Sequence, residues 1–177
     1  MLRKTIKNIA LLDLQNFTAE ALREIKKIES CAMLLIPKNA SDEWKNAYAK
    51  ITIRNVASII EVSYSKYSVL NGMVILNDKN VSDECLYIVN GIVILETVEK
   101  IPDLCVNGLL LKRKKSRYEM TRMNGRSVEV EDNVVIKPYP NTIEIDGDTV
   151  RSFDYNTLVA AGNNVDIDNN VTEQMLL

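Results

Sequence analysis

The chain has 177 residues, 46% of them hydrophobic and 26% charged, which is enough apolar material to bury a core and is the composition of a soluble globular protein. A formal charge of -2 supplies no global electrostatic pull toward nucleic acid or an anionic membrane, so nucleic acid is not an expected partner. The absence of any histidine excludes Ser-His-Asp and Cys-His nucleophilic catalysis, His-based proton transfer and His-containing zinc sites.

The amino terminus is basic and then apolar, but Asp13 interrupts the run from Ile9 to Leu14 and no small-residue cleavage site follows, which is a poor secretory signal. No apolar run approaches the roughly 20 residues that span a bilayer. A cytoplasmic location with no membrane association is therefore expected. Cys31, Cys85 and Cys105 are odd in number and lack C-x-x-C spacing, so they read as small core hydrophobes rather than as disulfides or metal ligands.

From the start of the chain a short phrase recurs, clearest where Val69-Leu-Asn-Gly-Met-Val-Ile-Leu is followed by Ile88-Val-Asn-Gly-Ile-Val-Ile-Leu. Taking Gly72 as position zero, the equivalents are residues 9, 31, 56, 72, 91, 108, 125 and 147, at spacings of 22, 25, 16, 19, 17, 17 and 22. The preceding position reads Asn8, Ser30, Asn55, Asn71, Asn90, Asn107, Asn124 and Asp146, a polar column. Position plus three reads Leu12, Leu34, Ile59, Ile75, Ile94, Leu111, Val128 and Val150, an aliphatic column expected in the core, with Ile75 and Ile94 stacked and both fully buried. Asn and Gly tolerate the left-handed backbone of a corner between two strands, and an Asn side chain can pair with its equivalents in the coils above and below. Unrelated Asn-Gly hairpin turns are the competing reading.

The first two coils are longer, and their extra residues predict helices. Thr18 caps one that carries Leu22, Ile25 and Ile28 on one face; after the strand over 33–36, which Pro37 stops, Ser41-Asp42-Glu43 begins another carrying Trp44, Tyr48 and Ile51. Ser82 to Leu86 leaves room for a single turn. Beyond Lys112 the character changes: Arg122, Arg126 and Glu144 enter columns that were apolar. Short strands are predicted over 128–131, 134–137, 142–145 and 149–153, with Asn/Asp/Gly/Pro punctuation that suits either further coils or an antiparallel cap. Residues 125–153 are expected to blunt the end of the array.

Strand, helix, strand units with an aliphatic and an Asn column resemble leucine-rich repeats and right-handed parallel β-solenoids over about residues 5–130. That resemblance implies parallel, one-strand-per-coil architecture; here the Asn precedes the strand whereas in leucine-rich repeats it follows, and no functional residue is carried over. The expected fold is mainly β, with helices in the first coils. Its parts are solenoid coils over 1–121, last coils or a β-rich cap over 122–161, and a polar, loosely held tail over 162–177.

Candidate chemistry is sparse. Lys112, Arg113, Lys114, Lys115 and Arg117 form a basic run that could meet an anionic polymer or an acidic protein surface, against the plainer reading of a solvated loop. Asp146 and Asp148, and Asp166 and Asp168, are the carboxylate clusters; paired carboxylates on a β-helix suggest carbohydrate chemistry by analogy only. Asp166-x-Asp168-x-Asn170 opens like a calcium loop, yet Val171 stands where such a loop needs glycine and Leu177 where it needs Glu. No catalytic residue, cofactor or metal is expected. The function that follows is a non-enzymatic interaction or scaffold module with a protein partner, or self-association through its ends.

Overall fold

The computed structural model describes residues 4–64 and 66–172. The protein is mainly β, with 58% strand and 10% helix, and its sheets are parallel. The chain divides into two compact units, residues 1–65 and 66–177. The charged start Met1-Leu2-Arg3, and the tail from Glu173 to Leu177 that includes the last position of the calcium-loop reading, lie outside the described residues.

In the first unit β1 (Lys4–Asp13), β2 (Ile25–Pro37) and β3 (Thr52–Val62) form one parallel sheet in chain order. Ile9 pairs with Cys31 and Cys31 with Val56, the register that the polar column predicts. Each strand bends at the residue before, where Asn8, Ser30 and Asn55 have φ of 58°, 54° and 51°. Short polar side chains can take that left-handed turn at modest cost.

Two helices connect these strands. In α1 (Ala19–Arg23) the Thr18 hydroxyl accepts from the Ala21 amide at 3.2 Å, and in α2 (Asp42–Tyr48) the Ser41 hydroxyl accepts from the Trp44 amide at 3.2 Å. Both caps fall where the sequence places them, but the helices stop early. Ile25 and Ile28 belong to β2, not to α1, because Lys4 pairs with Ile25 and Ile6 with Ile28, and β-branched side chains suit that pleated surface. Ile51 is buried just beyond α2. Leu14, Leu22, Ile28, Leu34, Trp44 and Ile51 build the core of this unit. The Trp44 indole donates to the Phe17 carbonyl at 3.0 Å and stacks on Tyr48.

In the second unit β4 (Lys66–Asn77), β5 (Cys85–Glu96), β6 (Asp103–Arg113) and β7 (Glu119–Val130) form a four-stranded parallel sheet. β7 runs across position 121/122, where the sequence reading ends its coils. Gly72, Gly91, Gly108 and Gly125 lie side by side, and the left-handed turn has moved onto them. The Asn column forms a ladder: Asn90 donates its amide to Asn71 at 3.0 Å and Asn107 to Asn90 at 2.8 Å.

One face of this sheet buries Tyr87, Val89, Val93, Leu95, Leu104, Val106 and Leu110. The other carries the aliphatic column. Ile75 does pair with Ile94, but only Ile94 is buried, at 2% exposure; Ile75 is 39% exposed because β4 is an edge strand, and Val128 on the opposite edge is 44% exposed. Ile59 on the edge strand β3 is likewise exposed, and Val150 lies in a helix. Truncating Ile94 to Ala should therefore cost about 2–5 kcal/mol, while Ile75→Ala should cost about 1 kcal/mol or less. Equal losses in denaturant titrations would contradict this edge-and-centre assignment.

The short connections between successive strands are bonded to one another. Asp78 accepts from the amides of Val98, Glu99 and Lys100 at 3.1, 3.1 and 2.9 Å. Its pKa is lowered chiefly by the Lys100 amide; desolvation opposes this, and the Val98 and Glu99 amides add to the lowering. A carboxylate so depressed stabilises the fold above its unfolded-state pKa and loses that contribution as pH falls through the folded-state value, below about pH 4. Asp78→Asn should lower the unfolding midpoint at neutral pH, and the gap from the parent chain should close in acid. A gap that stays constant down to about pH 2 would assign the effect to shape rather than charge.

Beyond β7 the chain makes two further parallel pairs. β8 (Val135–Tyr139) pairs with β10 (Thr157–Ala161) and β9 (Ile143–Ile145) with β11 (Val165–Ile167), each 22 residues apart. Antiparallel hairpins are therefore not what the turn residues build here. Residues 149–153 are not a strand: Asp146 caps the short helix α3 (Gly147–Arg151), so the eighth copy of the repeat does not join the ladder. The tail predicted from 162 contains β11, held to β9 by backbone bonds such as Asp168 N–H to the Ile145 carbonyl at 2.9 Å. Val130, Val134, Ile136, Leu158 and Ala160 cover Ile94 and Leu111 on the aliphatic face of the four-stranded sheet.

Of the cysteines, Cys31 and Cys105 are buried and Cys85 is half-buried, all three free. Among the described residues no helix is long and apolar enough to cross a membrane.

Candidate functional site

The basic run begins on the last two residues of β6 and turns into the connection toward β7. Parallel pairing of β6 with β7 places it beside the acidic segment 129–132. Lys112 meets Glu129 at 2.9 Å, Lys114 meets Glu131 at 2.6 Å and Lys115 meets Asp132 at 3.8 Å, while Arg113 reaches back to Glu96 at 3.5 Å. Arg113 also donates to the carbonyls of Glu131 and Val134 at 2.8 and 2.6 Å. Hydrogen bonding to Glu129 and to Glu131 raises the pKa values of Lys112 and Lys114, and bonding to Lys112 lowers that of Glu129. Arg117 is held through its backbone: its amide donates to the Thr97 carbonyl and its carbonyl accepts from the Thr97 hydroxyl. A cavity of about 260 Å³ here is lined by Glu96, Val98, Arg113, Lys115, Ser116 and Asp132. The run is thus interleaved with carboxylates, and an incoming polyanion would have to displace pairs that are individually weak where exposed.

The carboxylates that the sequence singles out are partly gathered. Because β9 and β11 are parallel, Glu144 stands opposite Asp166, and Ile145 opposite Ile167. Glu144, Asp146, Asp166 and Asp168 line an open groove of about 390 Å³ together with Ile145 and Ile167. Asp146 is committed to its cap, accepting from the Thr149 amide and hydroxyl, each at 2.7 Å, and the Thr149 hydroxyl is the main cause of its lowered pKa. Asp148 does not join them; it pairs with Arg151 at 2.6 Å within α3.

The stretch 166–170, whose calcium-loop opening the sequence already sets aside, is built differently. Asp166 sits in an extended strand, and the Asn170 side chain accepts from the Gly147 amide at 2.9 Å, so 166–170 do not curl around a common centre. Among the described residues no group of three His, Cys, Asp or Glu side chains is placed to hold a metal ion.

No family model, curated protein or solved structure matches the chain. The site must accordingly be read from its own chemistry. Glu144 is the groove residue that sequence reasoning missed. Its signal is nevertheless present: Ile143-Glu-Ile-Asp and Val165-Asp-Ile-Asp are the same alternation of aliphatic and acidic residues, 22 positions apart.

Proposed function

We propose that this chain is a non-enzymatic interaction or scaffold module whose parallel sheets are successive coils of a right-handed β-solenoid of leucine-rich-repeat-like character. The observation that carries the reading is the ladder from β4 to β7, where four consecutive strands share one bend, one Asn column and one aliphatic column. A coil of that kind cannot bury its apolar side alone but does so when stacked. Right-handedness is the hand that connections between parallel strands adopt. Stacking leaves a long regular surface, the feature that repeat proteins use to hold a protein partner. The free thiols of Cys31, Cys85 and Cys105 suit a reducing cytoplasm. The carboxylates interleaved with Lys112 to Lys115 weigh against binding an anionic polymer. A hydrolase screen is expected to return no turnover that depends on Asp146, Asp148, Asp166 or Asp168; such turnover would overturn the scaffold reading.

The carboxylate groove supports a second reading, a carbohydrate-directed site. Asp146, held ionised by its cap, would there be a base or a sugar-hydroxyl acceptor rather than a proton donor. Oligosaccharide binding that is lost in Glu144→Gln and Asp166→Asn would move the assignment to this second class.

A further inference from the structure

We propose that the basic run is a salt-sensitive clasp that holds the carboxyl-terminal cover on the four-stranded sheet, and that releasing it lets the cover detach while the sheet stays folded. The clasp lies wholly within the second unit and does not depend on the solenoid reading.

The cover is fastened to the sheet without strand pairing. β8 pairs with β10 and β9 with β11, in two-stranded sheets of their own. Detaching them therefore breaks no pairing between β4, β5, β6 and β7. What is lost is side-chain packing, where Val134, Ile136, Leu158 and Ala160 meet Ile94 and Leu111. A segment that docks through a few apolar side chains can open locally, at less cost than global unfolding.

The chain enters this cover through the turn 131–134, which the Val134 amide closes by donating to the Glu131 carbonyl at 3.1 Å. Arg113 grips both ends of the turn. Its guanidinium donates to the Glu131 and Val134 carbonyls at 2.8 and 2.6 Å, and its side chain is only 13% exposed. Hydrogen bonds from a charged donor are stronger than neutral ones, and more so away from water. Lys112 on Glu129, Lys114 on Glu131 and Lys115 on Asp132 flank this grip. Each of these exposed pairs is weak alone and screened by salt, but all three act on the segment that Arg113 holds. Val134 couples clasp to cover directly: Arg113 holds its carbonyl, and its side chain packs with Ile94 and Leu111. Ionic strength thus acts on the fastening and leaves the apolar contact beneath it unchanged.

The test is hydrogen exchange of the full-length protein resolved by segment, with β8 and β10 reporting the cover and β5 and β6 the sheet. A two-stranded pair is marginal by itself, so detachment exposes the β8 and β10 amides to exchange. Raising sodium chloride from about 0.01 to about 1 M shortens the screening length from about 30 to about 3 Å and should speed exchange in the cover about tenfold. Arg113→Gln should speed it about tenfold at low salt. Lys114→Glu should do so about threefold, and adding Glu131→Lys to the same chain should return the rate to within about twofold of the parent. In each case exchange in β5 and β6 should change by less than about twofold. If Arg113→Gln does not fold, the salt series and the Lys114–Glu131 swap decide the matter. Cover exchange that ignores salt and charge removal, a charge-swapped chain that stays fast, or β5 and β6 amides that accelerate in step with the cover would overturn the proposal.

Discussion

Replacing Gly108 by alanine is expected to destabilise the protein by more than about 3 kcal/mol, whereas the same change at Gly72 should cost about 1–2 kcal/mol. Both glycines have positive φ, +141° and +81°, so both substitutions carry a backbone penalty. Only Gly108 adds a collision. A Cβ there would sit 2.0 Å from the Gly91 carbonyl oxygen and 2.9 Å from its carbon. Those are backbone atoms of the adjacent strand and cannot rotate away; relief requires β5 and β6 to move apart from a hydrogen-bonded spacing of about 4.8 Å. At Gly72 nothing stands within 4 Å. Denaturant titrations of the two variants measure the difference. Equal losses would mean that φ alone, not the close approach of adjacent strands, requires glycine in this column.

Those columns were the most legible part of the sequence, because a parallel stack repeats one residue type at one level and every copy reinforces the register. The pairs Ile9–Cys31–Val56 and Gly72–Gly91–Gly108–Gly125 follow directly from it. Less legible was where local signals end. Thr18 marks a helix start, but the stop at Arg23 is imposed by the pairing of Ile25 and Ile28 with β1, which no local propensity announces. Burial of Ile75 was misread because a column says which residues stack and not which strand is last. The basic run shows the same lesson in its charges. Read along the chain it is a cluster of five cations; read across neighbouring strands, Glu96 and Arg113, Lys112 and Glu129, Lys114 and Glu131, and Lys115 and Asp132 are each 17 residues apart. The groove residue Glu144 was hidden for a related reason. Its copy of the repeat was aligned through Gly147 to the ladder, while its true partner Asp166 lies 22 residues further on.

Deleting the chain from Asn124 onward is expected to lower the unfolding midpoint, expose apolar surface to a reporter dye and drive aggregation. In the complete chain Ile94 and Leu111 are 2% and 5% exposed, and their cover is Val130, Val134, Ile136, Leu158 and Ala160, all of which the deletion removes. Uncovering the two side chains alone forfeits about 1.5–3 kcal/mol each, and the half-buried Met73, Ile92 and Leu109 beside them lose contacts as well. Protection of the sheet therefore comes from apolar cover and not from polar blunting: the segment after β7 lies on its aliphatic face. A full-length control separates this packing from the loss of chain. Ala160→Asp places a carboxylate against Ile94 and Leu111, where a buried unpaired charge is strongly unfavourable, and should reproduce the fall in midpoint. A truncated chain with an unchanged midpoint and no dye binding, together with a silent Ala160→Asp, would show that the carboxyl-terminal pairs are an appendage and that the aliphatic face is stable without them.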